Sequence, residues 1–391
     1  MFDIGQTDDY FNDTSETDLN NHRVLRKVAD KCYLPTNQIL KQLLLEHPEL
    51  KLSFSFSGVV LEQFENMAPE VLVSFQELVA TGQVEVLAET YYHSLAALYS
   101  ESEFEEQVKK HTRTIERLFG LTPKVFRNTE LIYRNDIAAQ VSDMGFSGML
   151  AEGADHVLGW RSPNFVYRAE NCGLNLLLKN YRLSDDIAFR FSSRDWTEWP
   201  LSAEKFASWV SDVNGGGQVI NLFMDYETFG EHQWADTGIF DFLRVLPREI
   251  LKHPDNDFVT PSEALNRYSV RGDLNIPYYL SWADVGRDIS AWLENNMQKE
   301  AFRVVYQLEP KVKESQDERL KDIWGRLQTS DHFYYMCTKW FADGDVHAYF
   351  SPWGSPYDAF ISYMNALNDF ELRLNKVLKE QPKDHSLVCS E

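Results

Sequence analysis

Cysteine is scarce in this sequence, with four residues among 391, and no two of them form a Cys-x-x-Cys pair. This usage argues against a disulfide framework or a cysteine-based zinc site and is typical of a reducing compartment. No apolar run reaches the roughly 18 residues that a membrane span requires. The first nine residues carry neither a basic start nor an apolar stretch, so they do not encode a secretory signal. We therefore expect a cytoplasmic protein.

Basic residues are also few: 38 Lys and Arg stand against 60 Asp and Glu, for a net charge of −22. Nucleic acids and anionic membranes attract basic surfaces, so we expect neither as a partner. The motifs of phosphate-binding loops, zinc peptidases, serine hydrolases and calcium-binding loops are missing, and we expect no metal and no cofactor. A neutral polysaccharide is indifferent to the negative charge. Aromatic residues make up 14% of the chain and offer rings that stack on sugars.

Short apolar runs alternate with longer amphipathic ones up to about residue 260, which predicts a mainly parallel sheet closed into a barrel. After residue 275 this pattern stops, and only helical patterns follow. We therefore predict a catalytic barrel over residues 1–270, a helical domain over 271–380 and a loose tail over 381–391. The predicted strands are 50–56, 84–88, 124–127, 147–151, 174–178, 219–224 and 258–260, and the helices between them include 61–80 and 135–143.

Two of these apolar runs end in a carboxylate. The run Val-Phe-Arg-Asn-Thr-Glu leads to Glu130, and the run Val-Ile-Asn-Leu-Phe-Met-Asp leads to Asp225. Carboxylates at the carboxyl ends of barrel strands lie where such folds carry out their chemistry. A pair of them without metal ligands suggests acid and nucleophile work on a glycosidic bond. The structural alternative for each is an ordinary helix cap or a salt-bridge partner.

Four motifs resemble the signature regions of glycoside hydrolase family 57, and of its α-amylase branch in particular. The segments Phe-Arg-Asn-Thr-Glu-Leu-Ile-Tyr at 126–133 and Met-Asp-Tyr-Glu-Thr-Phe-Gly-Glu-His at 224–232 resemble the third and fourth regions. Residues 82–93 resemble the second region, and Ser-Asp-His-Phe-Tyr-Tyr-Met at 330–336 resembles the fifth. The motifs occur in the order and spacing of the family, from about residue 2 to residue 376.

The resemblance implies a retaining mechanism with Glu130 as nucleophile and Asp225 as general acid/base. If Arg127 points inward, its positive charge would favour the ionised form of Glu130. Further acidic and histidine positions of the signature regions are expected to bind or position substrate, and two tryptophans are our choices for sugar-stacking platforms. For each of these the alternative is a structural hydrogen bond or a place in the core. The expected substrate-binding residues are Glu85, His93, Arg127, Glu227, His232, Trp234, Trp282, Asp331 and His332.

The first signature region, a strand with a His-Gln-Pro motif, has no counterpart in this sequence. The predicted fold is therefore an incomplete (β/α)7 TIM-like barrel that lacks its first strand, followed by the helical domain. The implied function is hydrolysis of α-1,4-glucosidic bonds in maltodextrin, starch or glycogen. Two alternatives remain open: a 4-α-glucanotransferase with the same catalytic pair, and a glucan-binding protein whose catalysis is weak or lost without the missing strand. A metal-dependent deacetylase lacks support, because spaced histidine ligands are missing, and the oligomeric state is not readable.

Overall fold

The computed structural model describes Phe2, Ile4, Tyr10, Phe11 and residues 20–339 and 351–380. The chain divides into two compact units. An α/β unit comprises Asp18–His93 and Glu101–Ile289, and a helical unit comprises Met1–Thr17, Ser94–Ser100 and Ser290–Glu391. This division differs from the predicted boundary after residue 270, because residues 271–289 belong to the α/β unit. The predicted tail at 381–391 lies outside the described residues.

The α/β unit contains the seven strands found in the described part of the chain. Five of them fall on predicted apolar runs, whereas β5 and β7 are too short and too polar to be recognised as such runs. The predicted strands at 219–224 and 258–260 are not formed: the former contributes a single bridge residue, Asn221, and the latter none. The strands are β1 Leu52–Phe54, β2 Val84–Val86, β3 Val125–Arg127, β4 Gly148–Glu152, β5 Tyr167–Ala169, β6 Asn175–Lys179 and β7 Asp273–Leu274.

The strands form a parallel β1–β2 pair and a five-stranded sheet of order β3-β4-β6-β5-β7. Strands β3, β4 and β6 run parallel, while β5 pairs with β6 in the antiparallel sense. The Ala88–Phe126 bridge is parallel and joins the continuation of β2 to β3. The carboxyl ends of β1, β2, β3, β4 and β6 therefore lie along one edge, where side chains that follow different strands can meet.

Helices cover the connections of the α/β unit. Pro69 separates α3 from α4 where a single helix over 61–80 was predicted, because proline lacks the N–H that would continue the helix. A π-helical turn, Ala29–Tyr33, interrupts the first helical segment. The α-helices are α1 Asn21–Val28, α2 Leu34–Glu46, α3 Gly58–Met67, α4 Pro69–Val79, α5 Glu101–Phe119, α6 Asn135–Asp143, α7 Asp155–Leu158, α8 Tyr181–Ala188, α9 Ala203–Ser211, α10 Ile239–Leu251 and α11 Pro261–Arg267.

The helical unit packs around large buried aromatic side chains, Trp292, Tyr306, Trp324 and Tyr363. Its helix α13 begins with a capping box in which the Asn295 side chain accepts a hydrogen bond from the N–H of Gln298. Within the described residues, no helix is long and apolar enough to cross a membrane. The helices of this unit are α12 Ser290–Leu293, α13 Asn296–Gln307, α14 Glu309–Ser315, α15 Glu318–Leu327, α16 Ser330–Tyr334 and α17 Pro356–Glu380.

Candidate active site

Glu130 lies just beyond β3 in a backbone conformation that side chains rarely adopt. Its φ is 56°, and that of Leu131 is 52°, so both are left-handed. Such residues cost of order 1–3 kcal/mol and persist only where the surroundings hold them. Here the Asn128 amide donates to the carbonyl of Ile132 at 2.8 Å, and the Thr129 hydroxyl lies 2.7 Å from that of Thr90. The turn that presents Glu130 is thus fixed by its neighbours.

The Glu130 carboxylate contacts two nitrogen groups. Its Oε1 lies 3.0 Å from His93 Nε2, and its Oε2 accepts a hydrogen bond of 2.7 Å from the Trp282 indole N–H. Burial alone would raise the pKa of Glu130. The hydrogen bond and charge of His93, the charge of Arg127 and the indole donor outweigh burial and lower this pKa to about 2. Glu130 is therefore ionised at neutral pH.

Glu130, His93 and a second buried carboxylate, Glu89, form a chain of charges. Its Oε1 lies 3.3 Å from His93 Nδ1, and its Oε2 accepts from Arg127 at 3.1 Å and from the Ser55 hydroxyl at 2.6 Å. Burial opposes the charge of His93, yet its hydrogen bonds to Glu130 and Glu89 raise its pKa to about 10. Burial likewise opposes ionisation of Glu89, but His93 and Arg127 lower its pKa to about 2. His93 is a cation between two carboxylates.

Sequence reasoning missed Glu89 and selected Glu85 from the same motif. Glu85 lies within β2, and its two carboxylate oxygens accept from the backbone N–H of Ser262 at 2.8 Å and from the Ser262 hydroxyl at 2.5 Å. These contacts place Glu85 at the first turn of α11 and not in the chain of charges around Glu130. The strand-end rule could have selected Glu89, because Glu89 directly follows the apolar run at 84–88. The same rule selected Glu130, which comes shortly after the run at 124–127.

Asp225 follows the segment 219–224, which runs beside β6 without forming a regular strand. The carbonyl of Asn221 accepts from Asn180 N–H, and its side chain donates to Leu178, each at 2.9 Å. Two residues before Asp225, the Phe223 ring lies 5.7 Å from the Trp282 ring and 5.6 Å from the Arg127 guanidinium. Asp225 itself is exposed and begins a short 3-10 turn, Tyr226–Thr228.

Glu227 lies in that turn and is held by the π-helical turn of the first helical segment. The Tyr33 hydroxyl donates a short hydrogen bond to Glu227. Burial and the negative charge of Asp225 raise the pKa of Glu227, against the opposing effect of the Tyr33 bond. His232 lies close enough for its charge to lower the same pKa, and its N–H donates to the Glu227 carbonyl at 2.9 Å. The structure thus brings Asp225, Glu227 and His232 together.

The two tryptophans chosen as sugar platforms have different surroundings. Trp282 donates to Glu130, and its ring lies 5.1 Å from both the Arg127 guanidinium and the Lys179 ammonium group. Its contacts are those of a group that orients the carboxylate. Trp234 is 55% exposed, with the Lys31 ammonium 5.4 Å from its ring, and is open to solvent as a platform would be.

The remaining predicted residues, Asp331 and His332, belong to the helical unit. Asp331 is an exposed residue of the first turn of α16. His332 packs against the Tyr363 ring, its Nε2 lies 3.0 Å from the Arg326 carbonyl, and burial lowers its pKa to about 4. These contacts are those of a residue that packs and hydrogen-bonds within the fold, which was the alternative to substrate binding for His332. The part of the chain that the structure describes holds no group of three or more His, Cys, Asp or Glu placed to bind a metal.

Comparison with known proteins agrees with the motifs. Residues 6–277 match the sequence profile of glycosyl hydrolase family 57. The chain belongs to this family. A Methanocaldococcus jannaschii protein, named provisionally as an alpha-amylase, is 45% identical to this family 57 chain over 375 residues. That match covers 93% of this chain and 79% of the relative. The chain is accordingly a glycoside hydrolase by family.

Solved structures, one of them described as a family 57 enzyme, share the fold at low sequence identity. A branching enzyme from Thermococcus kodakaraensis superposes with a TM-score of 0.68 at 14% identity, covering 92% of this chain and 87% of that one. The 4-alpha-glucanotransferase from Thermococcus litoralis gives a TM-score of 0.62 at 19% identity over 81% of this chain and 54% of its own. This family 57 chain therefore has a mixed α/β fold with a helical region, as the sequence predicted.

Proposed function

We propose that this family 57 enzyme is a retaining α-1,4-glucan hydrolase, an α-amylase that acts on maltodextrin, starch or glycogen. In a retaining reaction one carboxylate attacks the anomeric carbon, and a second carboxyl group first protonates the leaving oxygen and then activates water. Glu130 is the proposed nucleophile and Asp225 the proposed acid/base.

The state of Glu130 is the observation that carries this proposal. A nucleophilic carboxylate must be ionised and must be held in one orientation while the sugar binds. The pKa of about 2 meets the first requirement. The contacts with His93 and Trp282, on a backbone turn fixed by Asn128, meet the second. A carboxylate that served only to stabilise the fold would not require a strained turn to present it.

Asp225 is supported by its surroundings. It is exposed, as a group that exchanges protons with water and with a leaving sugar must be. It follows Phe223, whose ring packs near Trp282 and Arg127, and these two side chains also surround Glu130. Its neighbour Glu227 has a pKa that burial and the charge of Asp225 raise, so the two carboxyl groups lie close enough to interact electrostatically.

We also propose that the α/β unit is an incomplete (β/α)7 barrel and that the enzyme is cytoplasmic. The parallel order of β3, β4 and β6, with the site at their carboxyl ends, supports an incomplete (β/α)7 barrel. A cytoplasmic enzyme would meet maltodextrin or glycogen as its substrate. We expect neither nucleic acid nor an anionic membrane as a partner, because a net charge of −22 repels both.

The test is incubation of the protein with maltoheptaose, followed by chromatography of the products. We expect only shorter oligosaccharides from the wild type and none from Glu130→Gln. The control is Glu105→Gln, which alters an exposed helical glutamate paired with Lys109 and should leave turnover unchanged. Turnover by Glu130→Gln equal to that of the wild type would refute the assignment of the nucleophile.

The same experiment decides between the hydrolase and a 4-α-glucanotransferase, a candidate favoured by the similarity to the Thermococcus litoralis enzyme. A transferase resolves the covalent intermediate with a sugar hydroxyl, so its products would be both longer and shorter than maltoheptaose. Binding without any product would instead identify a glucan-binding protein.

A further inference from the structure

A buried cluster of four charged side chains lies beside the candidate site and has no part in the mechanism proposed above. We call it the Arg287 cluster, and it consists of Glu152, Lys179, Asp185 and Arg287. Glu152 and Lys179 are the last residues of β4 and β6, so they lie on the edge where β3 delivers Glu130. Asp185 lies in α8, and Arg287 lies in the loop that carries Trp282.

Arg287 links both carboxylates of the cluster. Its Nη1 lies 3.5 Å from Glu152 Oε2, and its Nη2 lies 3.3 Å from Asp185 Oδ2. The Lys179 ammonium lies 3.3 Å from Asp185 and 3.9 Å from Glu152. The exposed fraction of the Glu152 side chain is 0% and that of Arg287 is 17%. The network is therefore shielded from water.

A buried network of charges is weak evidence for a role in stability. Removing four charges from water costs several kcal/mol per ion, and buried ion pairs are often matched or exceeded by apolar side chains of similar volume. Burial raises the pKa of Glu152 to about 7, even though Lys179 and Arg287 act to lower it. Because burial carries this penalty, the network is a candidate for a role other than stability.

The contacts of Arg287 within its own loop indicate that role. Its guanidinium donates a hydrogen bond to the carbonyl of Trp282, and its own carbonyl accepts from Ser281 N–H at 3.0 Å. The Ser281 hydroxyl donates to the Asp288 carbonyl, which closes the loop a second time. Arg287 has a φ of 51°, a strained conformation for a residue with a side chain. Arg287 thus connects the two ends of its loop and joins the loop to Glu152 and Asp185.

This loop meets Glu130 at two points. The Trp282 indole N–H donates to the Glu130 carboxylate at 2.7 Å, and the Trp282 backbone N–H donates to the Glu130 carbonyl at 3.3 Å. The Lys179 ammonium of the cluster lies 5.1 Å from the Trp282 ring. The Arg287 cluster therefore contacts Trp282 in two places. Arg287 binds the Trp282 backbone carbonyl, and Lys179 lies near the Trp282 ring.

We infer that Arg287, held by Glu152 and Asp185, is a positioning residue that keeps the Trp282 indole N–H on the Glu130 carboxylate. The catalytic consequence rests on the proposed role of Glu130 as nucleophile, whereas the placement of Trp282 does not. In this inference Arg287 acts on Glu130 through Trp282, to whose carbonyl its guanidinium donates.

The placement can be measured without any activity. The ten tryptophans give ten indole N–H signals in a proton–nitrogen NMR spectrum, and Trp282→Phe identifies the Trp282 signal by its loss. We expect Arg287→Ala to shift this signal and to speed its exchange with solvent. Arg287→Lys, which keeps the charge but cannot span both carboxylates and the carbonyl, should give a smaller shift and serves if Arg287→Ala does not fold. Arg168→Ala, which breaks an exposed pair with Asp273, is the matched control and should not move it.

The catalytic consequence is measured on maltoheptaose with the same variants. Because a small displacement of a reacting group costs up to about a hundredfold in rate, we expect Arg287→Ala to lower kcat about 10- to 100-fold with little change in KM. The double variant Arg287→Ala/Trp282→Phe should be no slower than the slower of the two single variants, since both changes remove one interaction.

Each result has a definite meaning. An unchanged Trp282 signal in both Arg287 variants would overturn the inference. A shifted signal with unchanged kcat, or fully additive losses in the double variant, would overturn the link from Arg287 through Trp282 to catalysis. Absence of hydrolysis in the wild type would refute the proposed function, while the NMR measurement would still decide the placement of Trp282.

Discussion

Glu130 owes its ionised state to the side chains around it. His93, placed between Glu130 and Glu89, contributes both a hydrogen bond and a positive charge, and Arg127 adds a second charge. The apolar surroundings would otherwise favour the neutral acid. This arrangement makes His93 the residue on which the charge state of two buried carboxylates depends.

The first prediction concerns His93→Gln, which retains an N–H donor but is never charged. The pKa of His93 is raised from 6.5 to about 10 in the folded protein, so its charge stabilises the fold fully below pH 6.5. This contribution disappears as pH rises through about 10. We expect the difference in unfolding free energy between wild type and variant to shrink between pH 6 and pH 10. Chemical denaturation at several pH values measures it, and a constant difference would contradict the account.

The second prediction separates Glu85 from the site. Glu85→Gln removes the charge at the first turn of α11 and leaves one oxygen to accept from Ser262 in place of two. We expect a loss of about 1 kcal/mol in unfolding free energy, with kcat changed less than about twofold. Ser262→Ala should produce a loss of similar size that does not add to that of Glu85→Gln. A large fall in kcat at unchanged stability would instead return Glu85 to the site.

Residues at strand ends were the part of the site most open to prediction from sequence. A motif and the strand-end rule both selected the segment of Arg127 and Glu130, a second motif selected His93, and the structure places the three side chains together. The orienting role of Trp282 and the part played by Arg287 were not found, because both depend on a loop more than 150 residues along the chain from Glu130. Sequence spacing carries no information about such a contact.

Among the elements, the segment 219–234 depends most on its packing partners. It forms no regular strand, and it is held by the π-helical turn and α2 through the contacts of Tyr33 with Glu227 and of Thr36 with the Phe229 carbonyl. Gly230 is required at the closest approach, since a Cβ there would lie 2.1 Å from the carbonyl oxygen of Lys31, at a φ of +115°. The placement of Asp225 therefore depends on the π-helical turn, whose Tyr33 lies 194 residues before Glu227.

The third prediction tests this dependence with two glycines. Gly215 also has a left-handed φ, of +80°, but no atom lies within 4 Å of the position of its Cβ. Gly215→Ala should therefore cost only backbone strain, about 1 kcal/mol. Gly230→Ala should cost about 3 kcal/mol, because overpacking adds to the strain, and should lower kcat through displacement of Asp225. Equal losses of stability in the two variants, measured by thermal unfolding, would contradict this reading.

The elements themselves were predictable only where the sequence pattern was long enough. Strands β1 to β4 and β6 lie on clear apolar runs. Strand β5 has three residues with the exposed Arg168 in its centre, and β7 has two residues, so neither produces a pattern. The run at 219–224 has the composition of a strand, but only Asn221 finds a partner in the adjacent strand. Strand formation there is decided by the neighbouring chain and not by propensity.

At the scale of the whole molecule, family 57 membership and the site chemistry point to the same class of substrate. From the net charge of −22 we expect polyanions to be unfavourable ligands, whereas a neutral glucan is indifferent to this charge. The α/β unit holds Glu130 and Asp225, together with His93, Arg127 and Trp282, which lower the pKa of Glu130. Both proposed catalytic carboxylates therefore lie in one compact unit of a family 57 chain.

The most direct test of this mechanism is to trap the covalent intermediate that a retaining enzyme forms. The wild type is incubated with a 5-fluoro maltosyl fluoride, digested, and analysed by peptide mass spectrometry, with Glu130→Gln as the control. We expect a 5-fluoromaltosyl adduct on the peptide that contains Glu130, and no adduct in the variant. An adduct on another carboxylate, or continued turnover with Glu130 unlabelled, would contradict it.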